Sequence, residues 1–253
     1  MEQVVIRECT TIDELDQCVR LQKEVFGLPD LEISPRRHLI VSRRAGGWTL
    51  GAFVRSRLVG FVHHLVAVRG PEVIGYSHMM AVAAGYQNQG LGARLKWAQR
   101  ERALTEGRDF IKWTWDPMQA RNAHFNLNRL GVTVETYVEN FYGTDYLRDP
   151  ELKLRDLPGI DSDRLFANWH IRSPRVTELA RGGDGANFFR TAVDAIEIPA
   201  DWNAVLRADV GLAREEQLRV RQEFKRAFAS DLICAGFERG LERSRYLLYE
   251  AHS

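Results

Sequence analysis

The sequence predicts an α/β (α+β) fold: a mixed, mainly antiparallel central sheet flanked by helices, followed by a smaller α+β extension. Three observations predict it. Residues 4–138 read as β-α-β-β-β-α-β-α-β, in which a run of antiparallel strands is followed by β-α-β crossovers. A glycine-containing loop joins a strand to a helix at residues 83–90. Beyond Asp149-Pro150 the pattern becomes less regular, which places a core over 1–149 and an extension over 150–253.

Residues 4–8 have the branched look of a strand, and Thr11-Ile12-Asp13-Glu14 is a capping box that starts a helix. Leu15, Cys18, Val19, Val25 and Phe26 fall mostly on one helical face, and Gly27 supplies a left-handed stop. The stretch to Gly47 crosses the surface with room for a short second helix. Residues 48–54 and 58–68 are β-rich and joined by Arg55-Ser56-Arg57, a hairpin pattern. A strand over 73–82, a helix over 91–106 closed by Gly107, and a strand over 110–115 follow. Asp116-Pro117 opens a helix ending at Leu130 with Gly131 as its cap, and 132–138 is strand-like.

In the extension, residues 165–171 and 192–198 read as strands and Ser173-Pro174 as the cap and first residue of a short helix. A helix spans about 212–229 with Leu218, Phe224 and Phe228 as candidate buried positions, and a hairpin turns at Arg239-Gly240.

Composition removes several function classes. Of 253 residues, 35 are Lys or Arg and 34 Asp or Glu, so a net charge of +1 gives little attraction for nucleic acid. The longest uncharged stretch, residues 73–93, holds Ser77, His78, Gln87, Asn88, Gln89 and four glycines, which argues against a membrane span. Cys9, Cys18 and Cys234 cannot all pair and have no metal-ligand spacing, so no metal is expected and they read as small buried groups in a reducing compartment. The start lacks the pattern of a secretory leader, and the cytoplasm is the expected compartment.

Chemistry concentrates in one segment. No carboxylate occurs from Val73 through Arg100, and Gly90 and Gly92 let backbone N–H groups approach a ligand at the positive end of a helix. That pattern suits a phosphate, with Arg94, Lys96 and Arg100 adding positive charge. Neither G-x-x-x-x-G-K-[ST] nor G-x-G-x-x-G after a strand occurs. A ligand-free strand-to-helix turn is the bland alternative.

Gln87-Asn88-Gln89-Gly90-Leu91-Gly92, with Arg121-Asn122-Ala123-His124-Phe125 and Leu130-Gly131-Val132, resembles the GCN5-related N-acetyltransferase (GNAT) superfamily over residues 4 to about 142. The whole length, including Trp169 and Ser173-Pro174-Arg175-Val176, further resembles an uncharacterised predicted-acetyltransferase subgroup. The resemblance implies the acyl-CoA N-acyltransferase fold, with splayed middle strands and acetyl-CoA or another acyl-CoA in the gap. It implies pantetheine contacts at Met80, Ala81 and Val82, diphosphate contacts at Gln87, Asn88, Gln89, Gly90, Leu91 and Gly92, and a cofactor contact at Asn122. The acceptor would be a small-molecule or peptide amine, with no nucleic acid and no membrane as partner.

Transfer would be direct attack of a neutral amine on the thioester, with the Val82 N–H polarising the carbonyl. His78 shares the parity of Tyr76, Met80 and Val82 and could serve as base, Glu72 being the next choice; a satisfied structural histidine is the bland alternative. In the family a tyrosine commonly protonates the thiolate where this chain has Leu127. Tyr137 and Tyr142 could substitute, or simply pack. Trp113 and Trp115 share one strand face and wall a pocket or pack in the core. His63 and His64 alternate across their strand and cannot readily share a metal. A non-catalytic acyl-CoA-binding module stays open because of Leu127, and transfer from aminoacyl-tRNA on a doubled scaffold would need a basic groove. The extension could cover the acceptor side, complete the sheet or form a homodimer interface.

Overall fold

Thr11 caps helix α1 (Ile12–Phe26) in the way its spacing to Glu14 predicts. Glu14 N donates to Thr11 Oγ1 at 3.3 Å, while Glu14 Oε2 accepts from the backbone N–H of Thr11 at 3.1 Å and of Thr10 at 2.7 Å. Burial works against ionisation of Glu14, yet hydrogen bonds from Arg7 and these two amides bring its pKa to about 2. Gly27, at φ 60°, ends the helix by donating its N–H to Lys23 O. Leu15, Cys18, Leu21 and Gln22 form the buried stripe. Val19 and Val25 pack at its margin, whereas Phe26, the last residue of the helix, is 39% exposed.

The computed structural model describes residues 3–27, 30–144, 160–185, 188 and 191–251, and the chain divides into two units, Met1–Lys112 and Trp113–Ser253. The boundary expected at 149/150 lies outside the described residues.

In the first unit, β1 (Val4–Glu8), β2 (Trp48–Val54), β3 (Arg57–Arg69) and β4 (Glu72–Val82) are successive antiparallel neighbours, and β5 (Phe110–Trp115) then runs parallel to β4. Both sheet faces are covered, which is why every residue of β2 is buried. Phe53 and Phe61 pack toward α1 and α2 (Arg36–Arg44) with Leu15, Cys18 and Leu39. On the other face Trp48, Leu50, Ala52 and Val62 meet Leu91 and Leu95 of α3 (Leu91–Thr105).

In the second unit, the order continues from the end of β5 to β7 (Arg164–His170) and then β6 (Tyr137–Val138), with Tyr137 opposite Leu165. A separate antiparallel sheet has the order β8 (Asp194–Pro199), β10 (Arg243–Glu250), β9 (Leu232–Glu238), with the predicted turn between β9 and β10. Tyr246 is fully buried between Phe224 and Phe237, at centroid distances of 5.0 and 4.9 Å, and its hydroxyl donates to Pro117 O.

Several elements differ from expectation. The helix predicted over 116–130 is a short α4 (Ala120–His124) followed by one π-turn over Phe125–Arg129, because the Asp116 carboxylate accepts from Met118 N and Gln119 Nε2 and holds 116–119 as a turn. The strand expected over 132–138 shrinks to β6 plus isolated bridges at Thr133 and Val134. After α5 (Pro174–Ala180), an unpredicted α6 (Trp202–Ala208) precedes α7 (Val210–Ala229), whose cap Asp209 accepts from Leu212 N. Helix α7 buries Ala213, Gln217, Val220, Phe224 and Ala227 at the 3–4 residue rhythm. That phase turns Leu218 outward, 39% exposed, and leaves Phe228 half-buried.

Thr11→Ala removes one half of the capping box, and urea denaturation is expected to show a loss of about 1 kcal/mol, with the pattern of near-UV dichroism preserved.

Candidate functional site

The site begins where β4 loses a neighbour. Its rungs with β5 are Gly75↔Ile111 and Tyr76↔Lys112, so in the first unit the edge of β4 beyond Tyr76 has no further ladder partner on that side among the described residues. On the β3 side the register steps from His64↔Ser77 to His63↔Met79, which makes His78 the extra residue of a β-bulge.

Backbone alternation decides which amides face the open edge. Ala83 N donates to Val59 O at 2.9 Å, so Ala83 and Ala81 point toward β3 and the N–H groups of Met80 and Val82 point away from it. Of the three expected pantetheine positions, Met80 and Val82 therefore present free-edge amides, and Ala81 is directed at Phe61. Val82 O accepts from Gln87 Nε2 at 2.9 Å, which ties the strand end to the loop that follows.

That loop is built to turn backbone N–H groups outward. Asn88 and Gly90 have φ of 60° and 78° on either side of Gln89, an alternation that gathers successive amides on one side. Gln89 Nε2 reaches back to Gly85 O at 2.9 Å, so the side chains of Gln87 and Gln89 brace the loop. Gly90 is the N-cap of α3, with no side-chain cap and no acid in the first turn, and a Cβ placed on it would meet nothing within 4 Å. The amides of Leu91, Gly92 and Ala93 are first-turn donors that no helical carbonyl reaches. An anion fits this place by dipole and by hydrogen bonding.

The basic side chains on α3 are arranged differently from expectation. Arg94 donates to Val4 O, and Arg100 pairs with Glu101. Lys96 is 2% exposed and turned into the core, where Nζ donates to Ser77 Oγ at 3.0 Å and Gln99 Oε1 at 2.8 Å. Burial holds its pKa well below the ordinary lysine value. Of the three, Arg94 is the cation in the first turn of α3, and it adds to the peptide dipoles there.

His78 emerges from the bulge with Nε2 3.3 Å from Ser34 Oγ, and part of the residue meets solvent. Its ring packs against His38 of α2 and His63 of β3, with centroids 5.5 and 6.2 Å away. Burial, then the His38 imidazole, hold its pKa below the usual histidine value, so it is neutral at neutral pH and able to accept a proton. His63 and His64 point to opposite faces as their alternation predicts: His63 bonds Ser42 and Thr49, whereas His64 stacks on Trp48 at 4.1 Å and contacts Gln99. Glu72 is an exposed strand-end carboxylate paired with Arg69.

The remaining candidates belong to the second unit. Asn122 is exposed on α4, and Leu127 is fully buried. Tyr137 donates its hydroxyl to Asp163 Oδ2 at 2.5 Å, and burial and Asp163 raise its pKa. Asp163 is in turn held by Arg221, at 2.8 Å from Nε. Tyr142 is 46% exposed, with its ring against Phe141 and Arg164. Trp113 and Trp115 are both buried, the first edge-on to Trp169 and the second donating to Tyr246, which is core packing.

Sequence reasoning missed Ser34, His38 and Gln22, because residues meeting across 12 to 44 positions leave no periodic signal.

No family model matches the chain, and no curated protein matches it. Solved structures do. An acetyltransferase described as of the GNAT family from Desulfovibrio desulfuricans aligns with a TM-score of 0.54 and 15% identity, over 67% of this chain and 99% of that one. The ribosomal-protein-S18-alanine N-acetyltransferase of Escherichia coli aligns at 0.51 and 15%, over 66% and 92%. An Arabidopsis thaliana protein in complex with the bisubstrate analogue CoA-Ac-MVNAL aligns at 0.50 and 14%, over 65% and 97%. The chain has the fold of the GCN5-related N-acetyltransferase superfamily, and about a third of it lies outside these alignments. Among the described residues, no helix is long and apolar enough to cross a membrane and no group of side chains is placed to hold a metal ion.

Burial, the first cause in each case, holds the pKa of both His63 and His64 at about 3. Above the unfolded value of about 6.5 both are neutral in either state and stability is full. As pH falls from there toward 3, the unfolded chain gains protons that the folded chain refuses, at a cost of up to about 1.4 kcal/mol per pH unit for each histidine. Urea midpoints across this window are expected to decline, and to decline less steeply in His63→Gln.

Proposed function

We propose that this chain is an acyl-CoA-dependent N-acyltransferase, transferring acetyl from acetyl-CoA to a primary amine of a small-molecule or peptide acceptor by direct attack. One observation carries the reading: the edge of β4 beyond Tyr76, without a further ladder partner on that side among the described residues and with Met80 and Val82 N–H outward, is followed through a short 3-10 turn by the acid-free, Gly90-capped start of α3. A long ligand with amides at one end and linked phosphates at the other matches that sequence of donors. The fold alignments supply the class, and the CoA-Ac-MVNAL complex shows what the Arabidopsis protein holds.

In this reading Met80, Ala81 and Val82 guide the pantetheine arm, the amides of the loop from Gln87 to Gly92 take the diphosphate, and Asn122 touches the cofactor. The amine lone pair attacks the thioester carbonyl carbon while Val82 N–H stabilises the developing oxyanion. His78 takes the amine proton, the C–N bond forms, the C–S bond breaks, and CoA leaves as a thiolate that Tyr142 or solvent protonates. Tyr137 is the weaker acid candidate, since Asp163 already accepts from its hydroxyl. We assign the core to residues 1–149 and an extension to 150–253. The three buried free cysteines suit a reducing compartment such as the cytoplasm.

A second reading has its own support: Leu127, fully buried where the family commonly has an acid, fits a module that holds CoA or acyl-CoA without turning it over. Release of free CoA under a screen of amine acceptors separates the two.

Calorimetric titration with acetyl-CoA is the direct test of the site. Gly90→Glu and Gly92→Glu each place a carboxylate on the phosphate position, and the first also strains φ 78°. Both are expected to weaken binding at least about tenfold, or about 1.4 kcal/mol. Undiminished affinity in correctly folded variants would remove the proposal.

A further inference from the structure

Three consecutive buried polar residues lead into β7. Ser162, Asp163 and Arg164 are 1%, 1% and 7% exposed, and such a run is costly to bury unless each member has partners. All three find partners in one short turn, Asn140–Gly143, which carries Tyr142. Asn140 has φ of 44°, in the left-handed region, and Gly143, at φ 89°, closes the turn by donating its N–H to Asn140 O at 3.1 Å.

Ser162 makes three bonds to this turn. Its N–H donates to Asn140 Oδ1 at 3.2 Å, its O accepts from Phe141 N–H at 3.0 Å, and its Oγ accepts from Tyr142 N–H at 2.7 Å. A backbone N–H can only donate, so the direction of each bond is fixed. Asp163 Oδ1 accepts from Asn140 N–H at 2.9 Å, and the carboxylate is itself held by Nε and Nη2 of Arg221, at 2.8 and 2.9 Å, and by the Tyr137 hydroxyl. Arg164 sets its guanidinium carbon 5.0 Å from the centre of the Tyr142 ring, within cation–π range, and its Nη1 donates to Asp163 O at 2.9 Å. Phe141 meets the same ring edge to face at 4.6 Å. Tyr142 is nonetheless 46% exposed, so the polar groups buried to hold it gain little apolar burial from its ring. Backbone strain that the surrounding structure over-determines gathers where a side chain has to be presented.

On the reading that Tyr142 protonates the departing CoA thiolate, we infer that Ser162 and Arg164 are positioning residues, Ser162 fixing the backbone of Tyr142 and Arg164 its ring. When the C–S bond breaks, its electron pair stays on sulfur. The phenol proton passes to that thiolate to give the CoA thiol, and the phenolate left behind is reprotonated from solvent. Neither Ser162 nor Arg164 exchanges a proton in this step; their part is to keep the phenol in one place while it happens.

The test uses the full chain with 3-fluorotyrosine at its seven tyrosines, Tyr142→Phe assigning the Tyr142 fluorine resonance. Ser162→Ala and Arg164→Met should each move that resonance, and Ser162→Thr, which keeps the acceptor oxygen, should bring it back. With acetyl-CoA and spermidine, glucosamine or a short peptide as acceptor, Tyr142→Phe, Ser162→Ala and Arg164→Met should each lower kcat about tenfold, with the KM for acetyl-CoA changed less than about twofold. In the Tyr142→Phe background the other two substitutions should cost nothing further in kcat, since no phenol is left to position. Ser162→Ala removes a single oxygen and carries the test if Arg164→Met fails to fold. Losses that multiply in the double variants, or a Tyr142 resonance that Ser162→Ala leaves unmoved, overturn the inference alone. Undiminished kcat in Tyr142→Phe overturns it by removing the acid. A parent chain that binds acetyl-CoA and turns over no acceptor overturns the acyltransferase reading itself, and the inference falls with it.

Discussion

Everything in the proposed site follows from β4 being paired along its whole length on one side and along only its first part on the other. A strand edge with nothing opposite leaves its outward amides without a sheet partner. Here those amides are at Met80 and Val82, both half-buried, and the bulge at His78 marks the point where the ladder geometry changes. The donors left over by the sheet then join, through the Gln87 brace, the donors left over by the start of α3. Two groups of outward N–H donors result, at Met80 and Val82 and at the start of α3, separated by a turn in which Ala83, Tyr86 and Gln87 donate to Val59 O, Ala83 O and Ala84 O.

The price of that layout is a polar core behind and beside β4. Lys96, Ser77, Gln99 and His64 form one hydrogen-bonded group on the α3 face. His63, Ser42 and Thr49 form another on the α1 and α2 face. Such groups disfavour protonation inside the fold, and they leave little freedom for the strand between them. Gly75 shows how tight the fit is: a Cβ there would lie 2.3 Å from His64 Cε1, so the ring occupies space that any side chain would need. The rigidity falls on the residues just before the bulge, where a reacting group must be held still.

The second unit has its own logic. Its core centres on Tyr246, Phe224 and Trp169, and Arg221 gathers Asp161, Asp163 and Glu139 around Tyr137. A phenol tied into a salt-bridge group is suited to holding β6 against α7, and Leu127 at full burial contributes packing. These observations shift the chemical weight of the proposal onto the β4 side.

The order of strands and helices through β5, the Thr11 cap, the left-handed stop at Gly27 and the acid-free stretch ahead of α3 were all legible in the sequence, because each is a local matter of period, cap or composition. The loop from Gln87 to Gly92 was legible for the same reason. Where prediction failed, the competing force was also local but conditional: Asp116 turned a helix start into a turn, and a different helix phase exposed Leu218. What the chain alone could not disclose was which amides are spent on β3, that Lys96 faces Ser77, or that Ser34 meets His78. Those facts depend on strand register and on contacts between residues far apart in sequence, and such contacts are set only when the faces of separate elements come together.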